Sequence, residues 1–247
     1  MATYDVIGKT YARTRRPDPR IEQQIMRALE GCASVVNVGA GTGSYEPSDR
    51  RVVAVEPSIA MIRQRGSDSA PTVQGNATSL PFVDDSFDAA LASLTVHHWP
   101  DQLGGIAEMR RVARERVVIF THNVEDLDRF WLVTDYFPQM LAFDRERFVS
   151  FERVVDVFDD VRVEPVPIPS DCIDGFLCAY WTRPEAYLDE TVRNSISSFP
   201  SMEVAAVAAG IERLASDISS GRWDERYGYL RDAPEQDFGY RLIVASA

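Results

Sequence analysis

Long apolar runs, cysteine, histidine and positive charge are all scarce in this 247-residue sequence, and each scarcity closes off a class of function. No apolar run reaches the roughly 18 residues that a membrane-spanning helix needs. The opening MATYDVIGKTYARTRRPDPR has no apolar core of signal-peptide length, so the expectation is a cytoplasmic protein. Cys32, Cys172 and Cys178 are odd in number and fit no zinc spacing, which predicts reduced thiols and no metal site. Basic residues number 26 against 38 acidic ones, giving a formal charge of −12. Such a field repels phosphate backbones and anionic membrane surfaces, so neither nucleic acid nor membrane is an expected partner. Repeats, low-complexity runs and clear linkers are missing as well, which points to one domain over residues 1–247.

What is present gathers around Ser34 to Ser58, SVVNVGAGTGSYEPSDRRVVAVEPS. Val35, Val36 and Val38 suit a strand buried on both faces, and Val52 to Val55 suit its parallel neighbour. Gly39, Gly41 and Gly43 remove the side chains that would hold a ligand away from the backbone. Glu56 ends the second run, where a carboxylate can reach ribose hydroxyls. This is the local chemistry of a nucleoside-containing cofactor. A dinucleotide fingerprint, G-x-G-x-x-G, would place its third glycine where this chain has Ser44.

Gly39-Ala40-Gly41-Thr42-Gly43 between two strands, with Glu56 after the second, resembles the first two motifs of class I S-adenosylmethionine-dependent methyltransferases, in particular their type-11-like group. Asn76-Ala77-Thr78-Ser79-Leu80-Pro81-Phe82 and Asp84-Asp85-Ser86-Phe87-Asp88 resemble the family's third motif and the run into its fourth strand. The resemblance implies S-adenosyl-L-methionine as cofactor. It places Asn37, Gly39, Ala40 and Gly41 at the first strand end, Glu56, Pro57 and Met61 at the second, and Asn76, Ala77 and Leu94 beyond. Two departures stand out. Asn37 occupies a position that is usually acidic, and only residues 39–50 separate the two strands, so the crossover helix should be vestigial.

The resemblance also implies that the segment before the first helix covers the cofactor, with Tyr11 and Arg15 as its contacts. Asp18-Pro19 then opens a helix with Ile21, Ile25 and Leu29 on one face, stopped by Gly31. All three histidines, His97, His98 and His122, follow the fourth and fifth strands, on the sheet edge where open α/β proteins bind ligands. A histidine with an ordinary pKa of about 6.5 can take a proton near neutral pH. His98 is therefore the candidate base, with His97 as the alternative and Tyr11 as a partner.

The second half is read from pattern alone. Eleven aromatics lie between Phe130 and Trp181, which suggests either sheet-covering packing or a substrate wall beside the methyl donor. Helices are predicted over Asp126–Phe137 and Ser150–Phe158, a sixth strand over Val161–Ile168 and a seventh over Tyr240–Ala245. The intervening residues 170–238 read as a helical insertion. One helix there opens at Thr182-Arg183-Pro184, a second is capped by Ser201, and the segment serves as a lid or a homodimer surface. Its Asp171–Phe176 turn and Arg222-Trp223-Asp224 are candidate substrate-facing ends.

The expected architecture is an α/β, Rossmann-like, seven-stranded, mostly parallel sheet with helices on both faces and a helical insertion before the last strand. Residues 1–33 form an N-terminal flap and helix, 34–122 the cofactor-binding core, 123–169 the sheet completion and aromatic wall, 170–238 the insertion and 239–247 the last strand. The expected reaction moves a methyl group to N, O or C of a small apolar or aromatic molecule. A regulatory protein that binds the cofactor without transferring, or an NAD(P)-dependent oxidoreductase, are the alternatives.

Overall fold

A computed structural model describes residues 15–247 of the chain. Strands form where apolar, mostly β-branched or small residues run together: β1 (Ser34–Val38), β2 (Arg51–Glu56), β3 (Thr72–Gln74), β4 (Phe87–Ser93), β5 (Ala113–His122) and β6 (Val161–Pro165). A short pair, β7 (Ile168–Pro169) and β8 (Glu235–Gln236), precedes the final strand, β9 (Tyr240–Ser246). Seven of these make one sheet in the order β3-β2-β1-β4-β5-β9-β6, parallel except for β9, which runs against both of its neighbours. β1 lies beside β4 although β2 and β3 come between them in the chain. Strand order therefore reverses there, which opens a crevice at the carboxyl ends of β1, β2 and β4.

Side-chain alternation divides the core in two. Val35, Val118 and Leu242 face one side of the sheet and pack with α1 (Pro19–Ala28) and most of residues 124–238. Val36, Val117 and Ile243 face the other and pack with α3 (Gln102–Val112), which follows a one-turn α2 (Ile59–Ile62). Asp18 caps α1 as its sequence predicts, accepting from the Arg20 amide at 3.0 Å, and Gly31 stops it with a φ of +87°. No helix of the described residues is long and apolar enough to cross a membrane.

Between β1 and β2 the chain crosses in turns, with no helix in residues 39–50. Tyr45 takes a left-handed φ of +60° there and points into the core. Its hydroxyl donates to Asp174 Oδ2 at 2.8 Å, while Arg15 Nε donates to Oδ1 of the same carboxylate at 2.6 Å. One buried aspartate thus ties the crossover, the segment before α1 and the 170–238 stretch together.

The second half departs from its pattern in several places. Val124–Arg129 is a 3-10 turn and Leu132–Tyr136 a single π-helical turn, not one helix over Asp126–Phe137. Pro138 ends that region, and α4 (Gln139–Arg147) and a short α5 (Phe151–Val155) follow. The sixth strand stops at Pro165, because Pro165, Pro167 and Pro169 remove the donors that a longer ladder needs. In place of a helix from Thr182 there are a 3-10 turn, Pro184–Leu188, and a one-turn α6 (Glu190–Asn194). α7 (Val204–Ser219) and α8 (Arg222–Tyr227) complete the stretch, and α7 has Glu203 rather than Ser201 at its N-cap, without a side-chain bond.

The aromatic wall is mostly core. Phe130, Trp131, Tyr136, Phe137 and Trp181 are at most 2% exposed, and Trp131 meets Trp223 edge-on at 5.2 Å. Trp223 is fully buried as well, so Arg222-Trp223-Asp224 is not a substrate-facing end. A fully buried ring stabilises by about 1.5–3 kcal/mol, which explains why the densest aromatic run went to packing.

Candidate active site

β1 leads into the glycine loop, and the loop's backbone makes the floor of a cavity of about 360 Å3. Gly39 (φ +70°) and Gly41 (φ +53°) are left-handed, and a Cβ on Gly39 would lie 2.2 Å from Thr95 Oγ1. The Gly39 and Ala40 amides both donate to Val55 O, at 2.8 and 3.1 Å, which folds the loop over the end of β2. Glu56 follows at once. Its Oε2 accepts from the Gly41 amide and its Oε1 from the Ser58 amide, each at 2.8 Å. An ionised carboxylate can accept about four hydrogen bonds, so these two do not exhaust it.

Arg15, Asn37, Gly39, Ala40, Gly41, Glu56, Pro57, Met61, Asn76, Ala77, Leu94 and His98 all line this one cavity. His97 does not, and Tyr11 lies outside the described residues. The wall also contains Thr42, Ser44, Ser93, Thr95, Trp99 and Pro100. Ser93 Oγ is buried with no hydrogen-bond partner among the described residues, an open polar position on the cavity wall.

Asn37 has an acidic neighbour in space. Its Nδ2 donates to Glu46 Oε1 at 3.0 Å, and Glu46 pairs with Arg65 at 2.6 Å. This contact sets the amide's orientation and leaves Oδ1 as its acceptor. Glu46, on the shortened crossover, thus holds Asn37 in place while its own charge is met by Arg65. Asn76 Oδ1 accepts from Thr78 Oγ1 at 2.8 Å, and Ala77 is buried beside it.

A smaller chamber of about 70 Å3 adjoins the first and shares Arg15, Leu94 and His98 with it. Leu94 has a φ of +50°, a strained conformation for a branched side chain, costing on the order of 1–3 kcal/mol. His97 and His98 have ring centroids 3.9 Å apart, and His97 stacks on Phe148 at 4.5 Å. His122 Nε2 is 3.0 Å from Phe238 O, which makes that nitrogen the protonated one. Asp144, Arg147, Phe176, Ser198 and Tyr240 also line this chamber. Phe148 and Phe176 are the members of the sequence's aromatic run that border either cavity.

Burial disfavours the charged form of all three imidazoles. It pushes His98 down to about 3, with the Arg147 and Arg15 charges adding to the effect, and His122 down to about 4. His97 is driven well below its ordinary value by burial, then by the charge of His98 and Arg147. At neutral pH the chamber holds three neutral rings, each able to hydrogen-bond but a poor home for a proton.

Sequence reasoning missed Asp144, Arg147, Ser198 and Tyr240. The first two, three residues apart on a short helix, read as a solvated face, and Ser198 and Tyr240 carried no signal. Trp99 and Pro100 directly follow His98 in the chain and could have been found there. Of the proposed substrate-facing turn, Phe176 reaches the chamber, while Asp174 acts from behind by holding Arg15.

Residues 36–121 match the methyltransferase domain family model. The demethylmenaquinone methyltransferase of Paenarthrobacter aurescens is 30% identical over 204 residues, covering 77% of this chain and 76% of that one. A protein of Anabaena variabilis described as a methyltransferase from an antibiotic biosynthesis pathway is 34% identical and superposes with a TM-score of 0.87, covering 95% of this chain and 99% of that one. The [4+2]-cyclase SpnF, at 16% identity and a TM-score of 0.54 over 92% of this chain and 80% of that one, shares the fold alone. The chain spans about half the length, or less, of several other curated relatives that it matches. With the glycine loop, Glu56 and the reversal of strand order in place, these likenesses show that the chain belongs to the class I S-adenosylmethionine-dependent methyltransferases.

Proposed function

We propose that the protein moves a methyl group from S-adenosylmethionine to an oxygen, nitrogen or carbon of a small molecule seated in the smaller chamber. The observation that carries this reading is the shared wall. Arg15, Leu94 and His98 border both cavities, so a cofactor in one and an acceptor in the other meet there. The larger cavity fits the cofactor's chemistry in its glycine floor, its buried carboxylate and the open hydroxyl of Ser93. When bound, S-adenosylmethionine supplies an electrophilic methyl group.

In this reading Glu56 accepts from the ribose hydroxyls. Asn37 Oδ1 and Arg15 meet the amino-acid end, and Met61, Ala77 and Trp99 pack on the base, with Asn76 at its edge. These residues bind and orient, and alignment of reacting groups is worth up to roughly 7–11 kcal/mol in favourable cases. His98 is the better placed of the adjacent histidines, since it reaches both cavities. With its imidazolium disfavoured by burial, its part is to orient the acceptor by a hydrogen bond rather than to store a proton.

The demethylmenaquinone named for the Paenarthrobacter relative is not carried over. A chamber of about 70 Å3 with imidazole, guanidinium, carboxyl and hydroxyl groups on its wall suits a smaller and more polar acceptor than an apolar one. Because the same fold serves a cyclase, transfer has to be demonstrated by product. Incubation with methyl-labelled S-adenosylmethionine and a panel of small phenols, enols, amines and carboxylic acids, read by mass spectrometry, should give a labelled product. Tight S-adenosylhomocysteine binding with no product across the panel would favour a regulatory binding protein instead.

A further inference from the structure

Arg147 is the last residue of α4, on the chamber wall. It forms no ion pair among the described residues. Its Nη2 reaches Ser197 Oγ at a long 3.4 Å, and its guanidinium lies over the Phe143 and Phe148 rings at 5.0 and 5.8 Å. Its Nε is buried with no hydrogen-bond partner. A buried, charged donor without an acceptor is costly, on the order of 1–3 kcal/mol or more, and native structures seldom leave one unless something occupies the position.

The other charged and titratable groups around it point the same way. His97 and His98, on the turn after β4, and His122, at the end of β5, are neutral rings near neutral pH. Arg15 is ion-paired with Asp174, and Tyr240 is a buried phenol whose pKa burial raises. Asp144 is the carboxyl group on this wall among the described residues. Its oxygens lie 3.3 and 3.4 Å from Ser198 Oγ; burial raises its pKa, and the Arg147 charge works against that rise. In a chain of net charge −12, this chamber therefore presents a guanidinium with spare donors and no strong base.

We propose that the chamber takes its acceptor as an oxyanion, the ionised form of a small phenol, enol or carboxylic acid, and that Arg147 is the residue that reads the charge. The inference rests on the transferase reading above. The acidic proton is lost to solvent before the acceptor seats, so no protein group has to remove it. Buried imidazoles that hold protons poorly are then no handicap. Arg147 is a specificity-determining residue that donates from its guanidinium to the acceptor oxygen, with the charge-assisted geometry that guanidinium groups offer.

The test uses para-nitrophenol, whose ionised form absorbs visible light, added to the full-length protein saturated with S-adenosylhomocysteine. A pH titration of absorbance should show the bound probe's apparent pKa lowered by about one unit, a tenfold preference for the phenolate. Arg147→Gln should abolish that shift while binding S-adenosylhomocysteine normally, and Arg147→Lys should keep part of it. If Arg147→Gln fails to fold, competition on the wild type decides: benzoate should displace the probe about tenfold better than benzamide. A probe that does not bind, a shift that survives Arg147→Gln, or equal displacement by benzoate and benzamide would overturn the inference. A folded wild type that binds no S-adenosylhomocysteine would overturn the transferase reading first and this inference with it.

Discussion

The two cavities share three side chains yet are built in opposite ways. Apart from Arg15, the larger is lined by residues 37–100, at the ends of adjacent parallel strands, with the glycine loop as its floor. The smaller is lined by Arg15 and by residues scattered from 94 to 240, on the turns after β4 and after α6, the ends of α4 and β5 and the first residue of β9. A floor of amides is fixed by the strands that carry it, whereas a wall of side chains can be rewritten one residue at a time. The contrast fits the proposal that the common cofactor takes the first cavity and the particular acceptor the second.

One substitution should damage both cavities at once. Asp174 is fully buried and takes hydrogen bonds from Arg15 and Tyr45, so Asp174→Ala withdraws the carboxylate from a guanidinium that is only 7% exposed. Breaking a buried pair on one side costs about 3–5 kcal/mol. Chemical denaturation should show a loss of that size, and a loss below 1 kcal/mol would mean that Asp174 does not join the two regions.

Next in size is a change confined to the cofactor floor. Gly39→Val would force a side chain into Thr95, already 2.2 Å from a bare Cβ, and into a φ of +70°. Overpacking of this kind costs about 1–3 kcal/mol, so S-adenosylhomocysteine affinity should fall roughly 10- to 100-fold in calorimetry. Unchanged affinity would show that the loop is not the floor.

The chamber should reveal itself through pH. An unfolded histidine titrates near 6.5 and folded His122 near 4, so between these values the unfolded chain binds a proton that the folded chain does not. Stability from this group is full above pH 6.5 and declines as the pH falls toward 4, by about 1.4 kcal/mol per pH unit. His122→Gln should flatten the acid limb of the stability profile by that slope, measured by denaturant midpoints. A parallel profile would place His122 in a wetter setting than the structure does. The smallest effect belongs to His98. As an orienting group, His98→Ala should lower kcat by about tenfold or less, short of the roughly 100- to 10,000-fold expected for loss of a general base. A loss in that upper range would restore its role as base.

Legibility followed the same divide. Val35 to Val38, the glycines and Glu56 could be read because strand periodicity, turn chemistry and a terminal acid are local signals that agree with one another. The terminal run Tyr240–Ala245 was legible as the last strand, and the structure pairs it antiparallel with β5 and β6. Glu46 could not be read as a partner of Asn37, since nothing in a turn-like run shows which carboxylate folds back. Arg147 and Asp144 were invisible for a different reason: charged residues one turn apart usually face water, and only the packing of Ser197, Ser198 and Phe148 against them makes a chamber. Helices predicted over Asp126–Phe137 and from Thr182 broke into single turns because their large rings pack into the core in several directions, which a regular helix face cannot supply. Trp131, Trp181 and Trp223 were drawn inside by the same demand.

The central claim is that the glycine loop and Glu56 hold S-adenosylmethionine. Calorimetric titration of S-adenosylhomocysteine into wild type and Glu56→Ala tests it most directly. Glu56 bonds the Gly41 and Ser58 amides and borders the cavity, and charge-assisted hydrogen bonds are worth about 1.5–3 kcal/mol. Saturable binding to the wild type, weakened roughly 10- to 100-fold in Glu56→Ala, is the expected result; a folded wild type that binds no S-adenosylhomocysteine, or a Glu56→Ala variant that binds it equally well, would contradict it.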